Sequence, residues 1–191
     1  MRKIKNFNIH LRVKEIIRVV TKLVSNEYLT DDIDIAVQRC CKHYTKFIVP
    51  SVVYDTFLKE KEPTIFTSQK DVPQKYVAQT IFFITIGDNI LQELQKNERA
   101  FGVHTTHMVN SIAVDALEQS KNFLSRIVTK SEASEESCGI SRSIEVDKSN
   151  YPRIGKIIPS DKIGITIENE KLKPIFSMCA VFYWVPSKKN K

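Results

Sequence analysis

Apolar residues recur at helical spacing over positions 9–25, at Ile9, Val13, Ile16, Ile17, Val20, Leu23 and Val24. That is the stripe of a helix with one buried face. The polar stretch SNEYLTDD interrupts it, and Thr30 or Asp31 is placed to cap a second helix. This helix is predicted over 32–48 through Ile33, Ala36, Val37, Cys40, Cys41, Tyr44 and Phe47. Both early cysteines thus fall on its buried face, as small core residues. Pro50 ends the helix, and the period then changes. SVVYDTFL (51–58) reads as a short strand, and 79–86 as a buried strand rich in β-branched and aromatic residues. Between them TSQKDVPQKY reads as a helical turn capped by Ser68. Gly87 closes the second strand, and DNILQELQ starts a helix near Asp88 with Ile90, Leu91 and Leu94 inward.

A longer helix is predicted over 106–128, with its stripe at Val109, Ile112, Ala113, Ala116, Leu117, Phe123, Leu124, Ile127 and Val128. The acidic, serine-rich KSEASEES stops it. GISRSIEVDKSNYPR (139–153) has few apolar residues and, on pattern alone, carries the chain from helix to sheet. KIGITIE and PIFSMCAVFYWV are strand-like runs joined by NEKLK, which predicts an antiparallel hairpin. There is no regular βαβ rhythm. The order implies an α+β fold in a single domain over 1–191: a helical part (1–50), an α+β core (51–186) and a basic tail (187–191).

Charge changes this picture little. The net charge of +7 is concentrated at the two ends, in Arg2, Lys3 and Lys5 and in Lys188, Lys189 and Lys191. Both ends read as solvated tails, whereas a nucleic-acid surface needs its bases on a folded face, so nucleic acid is not an expected partner. No apolar run approaches the roughly 20 residues of a membrane span, and the first residues lack a secretory pattern. A cytoplasmic location with reduced cysteines is the expectation, with no membrane partner.

Candidate chemistry is sparse. Five glycines supply no phosphate-cradling loop, and no nucleophile-elbow motif is present. His104 and His107, in HTTH, can share a helix face and ligate a metal, but no third ligand stands at a recognisable spacing. A hydrogen-bonded or exposed pair is the better reading. Asp115 lies at the edge of the long helix's stripe, where spacing favours a solvated acid. Tyr183 and Trp184 read as packing residues.

Four separated stretches together carry a resemblance: KFIVPSVVYDTF, AQTIFFITIGDNILQEL, VNSIAVDALEQSKNFL and DKIGITIENEKLKPIFSMCAVFYW. Their order and spacing resemble the activation (reactivation) domain of cobalamin-dependent methionine synthase, in a stand-alone form. The resemblance implies a twisted antiparallel sheet flanked by helices. It also implies a supporting role in methionine biosynthesis, as an accessory to a methyltransferase. In that family the domain binds S-adenosylmethionine and presents its methyl group to a cobalamin held by another domain, while an electron donor reduces the cobalt. The partners implied are a cobalamin-binding protein or the methionine synthase core, and a flavodoxin-like electron donor.

The family's ligand motif is an arginine followed by Pro-Gly-Tyr. Arg142 falls where that arginine is expected, and a guanidinium suits a carboxylate because it can bind it bidentately. The Pro-Gly-Tyr does not follow; Ile144, Glu145 and Val146 occupy the neighbourhood. Glu145 would repel the ligand's carboxylate but favour its sulfonium. By the same resemblance Asp115, Tyr151 and Ser177 join the ligand-binding set, with Cys179 and Ala180 standing where the family has a second serine and a glycine. The alternative is an interaction module that keeps the fold without the S-adenosylmethionine site.

Overall fold

A computed structural model describes residues 1–24, 33–61 and 72–187 of the chain. Thr30, Asp31 and Ser68, proposed as helix caps, and the lysines at the C-terminal end lie outside them.

The helical periodicities produce helices where expected: α1 (Val13–Leu23), α2 (Ile33–Tyr44), α3 (Asn89–Lys96) and α4 (Thr105–Val128). Ile16, Val20, Val37, Cys40, Cys41, Tyr44, Ile90, Val109 and Ile112 pack into one buried cluster among these helices. Cys40 and Cys41 are therefore core residues, and burial pushes their thiols up to about 12 and about 11.

The strands are β1 (Arg2–Lys5), β2 (Ser51–Leu58), β3 (Ala78–Thr85), β4 (Cys138–Ile140), β5 (Ile144–Glu145), β6 (Thr166–Glu168), β7 (Lys171–Lys173) and β8 (Ser177–Pro186). The main sheet runs β1-β2-β3-β8-β4, with β5 also on β8, and every pairing is antiparallel. All eight residues of β3 are buried because both faces of the sheet are covered. Phe82 and Ile84 pack with Leu124 and Val128 of α4 on one face. Ile81 and Phe83 meet Tyr151, Ile154 and Ile158 on the other, from a helix α5 (Tyr151–Ile157) and the residue after it. An antiparallel strand normally alternates apolar and polar residues; coverage on both faces explains the unbroken run IFFI. Burial of each of these rings contributes about 1.5–3 kcal/mol.

Three expectations need correction. The predicted hairpin between KIGITIE and PIFSMCAVFYWV does not form. The hairpin closes earlier, between β6 and β7, through Asn169 and Glu170, both at positive φ (49° and 60°). Two left-handed residues make the turn whose twist matches antiparallel strands. β8 is thereby freed to enter the main sheet beside β3. Second, the first residues are not a solvated tail: β1 pairs in register with β2, from Arg2 opposite Tyr54 to Lys5 opposite Ser51. Third, KSEASEES does not simply stop α4. The helix continues as a wider π-type turn over Thr129–Ala133, which turns Glu132 inward. There Glu132 binds the Arg2 guanidinium and accepts from Tyr54 Oη at 3.1 Å and Thr56 Oγ1 at 3.2 Å.

Among the described residues no helix is long and apolar enough to cross a membrane.

Candidate functional site

The stretch 139–153 does not merely connect helix to sheet. β4 and β5 run along the same edge of β8, but out of step. Ile140 lies opposite Trp184 and Ile144 opposite Val181, so the edge takes four steps where β8 takes three. The extra residue is accommodated as a bulge, a device that re-aims side chains. Ser141 holds it: its N–H donates to the Tyr183 carbonyl at 2.8 Å, and its Oγ accepts from the Tyr183 N–H at 3.0 Å while donating to the Arg142 carbonyl at 2.7 Å. Arg142 sits on this bulge and is exposed.

Beyond β5, the Val146 N–H donates to the Cys179 carbonyl at 3.2 Å and extends the edge. Asp147 then starts a short turn. Its Oδ1 accepts from the N–H and Oγ of Ser149 at 2.9 and 2.6 Å, and these bonds hold its carboxyl below the usual range. Pro152 in the first turn of α5 suits a helix start, where the missing N–H costs nothing. Gly155 brings α5 onto the small hairpin: a Cβ there would lie 2.6 Å from Cδ1 of Ile167.

These elements enclose a cleft of about 390 Å³. It is lined by Glu145 and Lys148 from the edge segment, Tyr151 from α5, Glu170 to Lys173 from the hairpin, and Ile175, Ser177, Met178 and Cys179 leading into β8. Burial pushes the Tyr151 phenol up to about 12, reinforced by Cys179, Glu145 and Asp147, so it stays protonated. Ser177 Oγ donates to Thr85 Oγ1 at 3.0 Å, and Thr85 Oγ1 also accepts from the Gly87 N–H at 3.0 Å. Gly87 has φ +81°, so the Thr-x-Gly at the end of β3 is a turn, and its Thr85 holds the cleft residue Ser177.

The structure thus brings Glu145, Tyr151 and Ser177 to one cleft. Arg142 lies outside its lining. Asp115 is not the solvated acid that spacing favoured: it is buried on α4 and committed to Arg12. Its Oδ2 accepts from the Arg12 backbone N–H at 2.8 Å, and its Oδ1 accepts from Nε and Nη2, both at 2.7 Å. Arg12 directly precedes α1, so Asp115 accepts, from a neighbouring helix, one of the N–H groups that a helix start leaves without an intrahelical partner. It faces a separate groove beside Ile16, Val19 and Leu23. Sequence reasoning missed Lys148 on the edge segment, and it missed Glu170 to Lys173, Ile175 and Met178 because their place in the cleft depends on where the hairpin closes.

The ring centroids of His104 and His107 are 6.4 Å apart. Among the described residues no group of three or more His, Cys, Asp and Glu side chains is arranged to hold a metal ion.

No protein-family model matches the chain, and none of the curated proteins matches it. Among solved structures, the MetH reactivation domain bound to AdoHcy is similar over 100% of this chain and 81% of its own, with a TM-score of 0.58 and 13% sequence identity. At that identity the likeness is one of fold. The chain has the reactivation-domain fold, as the four separated stretches implied.

Proposed function

We propose that this protein is an activation-domain-like accessory that binds S-adenosylmethionine in the cleft between β5, α5, β7 and β8. It supports reductive remethylation of a corrinoid held by a partner in a reducing, cytoplasmic setting, with a flavodoxin-like protein as electron donor. The observation that carries the reading is a ligand-sized cleft, built on the 139–153 segment, in a chain whose whole length shares its fold with a domain solved bound to AdoHcy. Small-ligand sites occupy about 300–1,000 Å³ and combine apolar walls with a few polar groups. Here Leu172, Ile175 and Met178 supply apolar wall, Lys148 and Lys171 cations for a carboxylate, and Glu145 an anion.

S-adenosylmethionine supplies an electrophilic methyl group, and the partner's reduced corrinoid the nucleophile. The chain's own part is to bind and orient the donor so that a chance encounter becomes an aligned one, which can contribute several kcal/mol. Tyr151, held protonated, can donate a hydrogen bond but cannot act as a base near neutral pH. Calorimetric titration with S-adenosylmethionine, with and without a cobalamin protein, tests the reading. Ligand at 100 times its dissociation constant adds about 2.7 kcal/mol of stability, a rise of roughly 5–10 °C in melting temperature for a chain of this size. Neither heat of binding nor a melting shift, with no effect on corrinoid remethylation, would sink it.

A second reading is favoured by the placement of Arg142 outside the cleft lining and by the engagement of Asp115 with Arg12. In it the protein is an interaction module that keeps the fold without the ligand. It predicts capture of a protein partner and no melting shift with any adenosyl compound.

A further inference from the structure

The segment between β1 and α1 is clamped to α4 at two points. Phe7 stacks on Phe123, with ring centroids 4.1 Å apart and planes 6° from parallel. Further along, Arg12 is held by Asp115. Between the clamps the side chains alternate as in any extended chain: Ile9 and Leu11 pack against the helical core, while Asn8 and His10 stay exposed. Asn8 and His10 thereby line a hollow of about 520 Å³ with Phe123, Arg126 and Lys130 from the end of α4 and the turn after it. No carboxylate lines this hollow. Neither His10, Arg126 nor Lys130 makes an ion pair among the described residues. The acids of the same turn are placed elsewhere: Glu132 is bound to Arg2, and Glu135 and Glu136 line the cavity beside Arg2 and Trp184.

A helix C-terminus favours a nearby cation, which accounts for Arg126 or Lys130 taken singly. It does not account for their spacing of four, which sets like charges side by side, or for a third basic group delivered by another segment. Carbonyls at this end are also already engaged, since Ser131 Oγ donates to Ile127 at 2.6 Å and Ser134 Oγ to Lys130 at 2.8 Å. From this convergence we infer that the hollow is a second binding site, for a small molecule whose phosphate group is held between His10, Arg126 and Lys130. A guanidinium meets a phosphate with two parallel N–H donors, and an ammonium meets it as a point charge. The Asn8 amide adds a neutral donor, and Phe123 and Ile127 offer apolar wall to the rest of the ligand. One compact group of basic side chains matches one phosphate group, whereas nucleic acid calls for a longer basic track. The bound anion relieves the crowding of like charge and bridges the 8–10 segment to α4. The hollow shares no residue with the cleft beside Tyr151, so this site is independent of the S-adenosylmethionine reading.

The test is an NMR titration of the isotope-labelled full chain with pyrophosphate, at ionic strength held constant with sodium chloride, paired with thermal melts. The expected result is saturable shifts of the Asn8 side-chain amide and the Arg126 Nε–H, and a melting temperature that rises with pyrophosphate. The double variant Arg126→Gln with Lys130→Gln loses both effects, while Arg126→Lys, which keeps the charge but not the paired donors, binds about two- to fivefold more weakly. Circular dichroism confirms that each variant is folded. Should the double variant fail to fold, His10→Ala decides in its place, with weaker binding expected. Shifts that never saturate, shifts confined to Lys148 and Lys171 in the cleft, or affinity unchanged in these variants would overturn the inference.

Discussion

Removing the Asp115 carboxylate would leave the Arg12 backbone N–H without its acceptor and the Arg12 guanidinium without its anion. Water can replace the anion for the Arg12 side chain, which is 51% exposed, whereas Asp115 is 5% exposed. Asp115→Ala is therefore expected to cost about 1–3 kcal/mol in urea unfolding, and Asp115→Asn, which keeps an acceptor for the N–H, distinctly less. Neither substitution should alter binding in the cleft beside Tyr151. Residue-scale burial also sets a pH dependence. The buried thiols of Cys40 and Cys41 and the phenol of Tyr44 titrate at about 12, about 11 and about 12, against ordinary values of 9.0 and 10.0. Between the ordinary and the raised values the unfolded chain loses protons that the folded chain keeps. Stability is therefore full below about pH 9 and falls as pH rises toward 11–12, at up to about 1.4 kcal/mol per pH unit for each group. Urea unfolding from pH 8 to 10.5 should show this decline, and Cys40→Ala should make it shallower.

At the scale of elements, what was legible in the sequence was whatever a stripe or an alternation announces. α1, α2, α3, α4, β2 and β3 lie close to where the sequence pattern puts them, because each helix buries a continuous apolar stripe and the two strands are buried from both faces of the sheet. The short pieces were not legible. β4 and β5 are three and two residues long, and they are strands only because β8 lies beside them with open hydrogen-bonding groups. The Asn169–Glu170 turn lacks the glycine that usually marks such a hairpin, so NEKLK looked like a connection instead of a turn and a strand. The packing of α5 on this hairpin gives an element-scale prediction. Gly155→Ala gains up to about 1 kcal/mol of helix propensity, but its Cβ meets the tip of Ile167, which must rotate aside. In the native background the two effects should nearly cancel. In an Ile167→Ala background Gly155→Ala should stabilise by about 1 kcal/mol, and Gly155→Val in the native background should cost about 1–3 kcal/mol. Thermal melts of the four-member cycle and of the valine variant measure this.

Across the whole molecule, the candidate site was legible as a region and not as a set. The resemblance pointed to 139–153, and Glu145, Tyr151 and Ser177 do share a cleft, but the neighbours of Asp115 and Arg142 depend on α1 and on the bulge at Ser141, neither of which has a local sequence signal. A long-range example is Arg2 with Glu132, 130 residues apart, joining the edge strand β1 to the turn that ends α4. Read singly, one belonged to a basic tail and the other to an acidic stop. Together they tie a sheet edge, the end of the longest helix, and Tyr54 and Thr56 of β2 into one network. Glu132 is the buried partner, with a side chain 8% exposed against 58% for Arg2, so the two substitutions should differ. Arg2→Ala leaves a buried carboxylate with only hydroxyl donors and is expected to cost about 1–3 kcal/mol. Glu132→Gln keeps an acceptor for those donors and removes the uncompensated charge. Combining it with Arg2→Ala should therefore cost less than the sum of the two, with a coupling of about 1–2 kcal/mol that 0.5 M salt reduces only in part. A double-mutant cycle by urea unfolding, repeated at two salt concentrations, measures it. Additive costs would mean that Arg2 only rests on the surface and that β1 is held by its pairing with β2 alone.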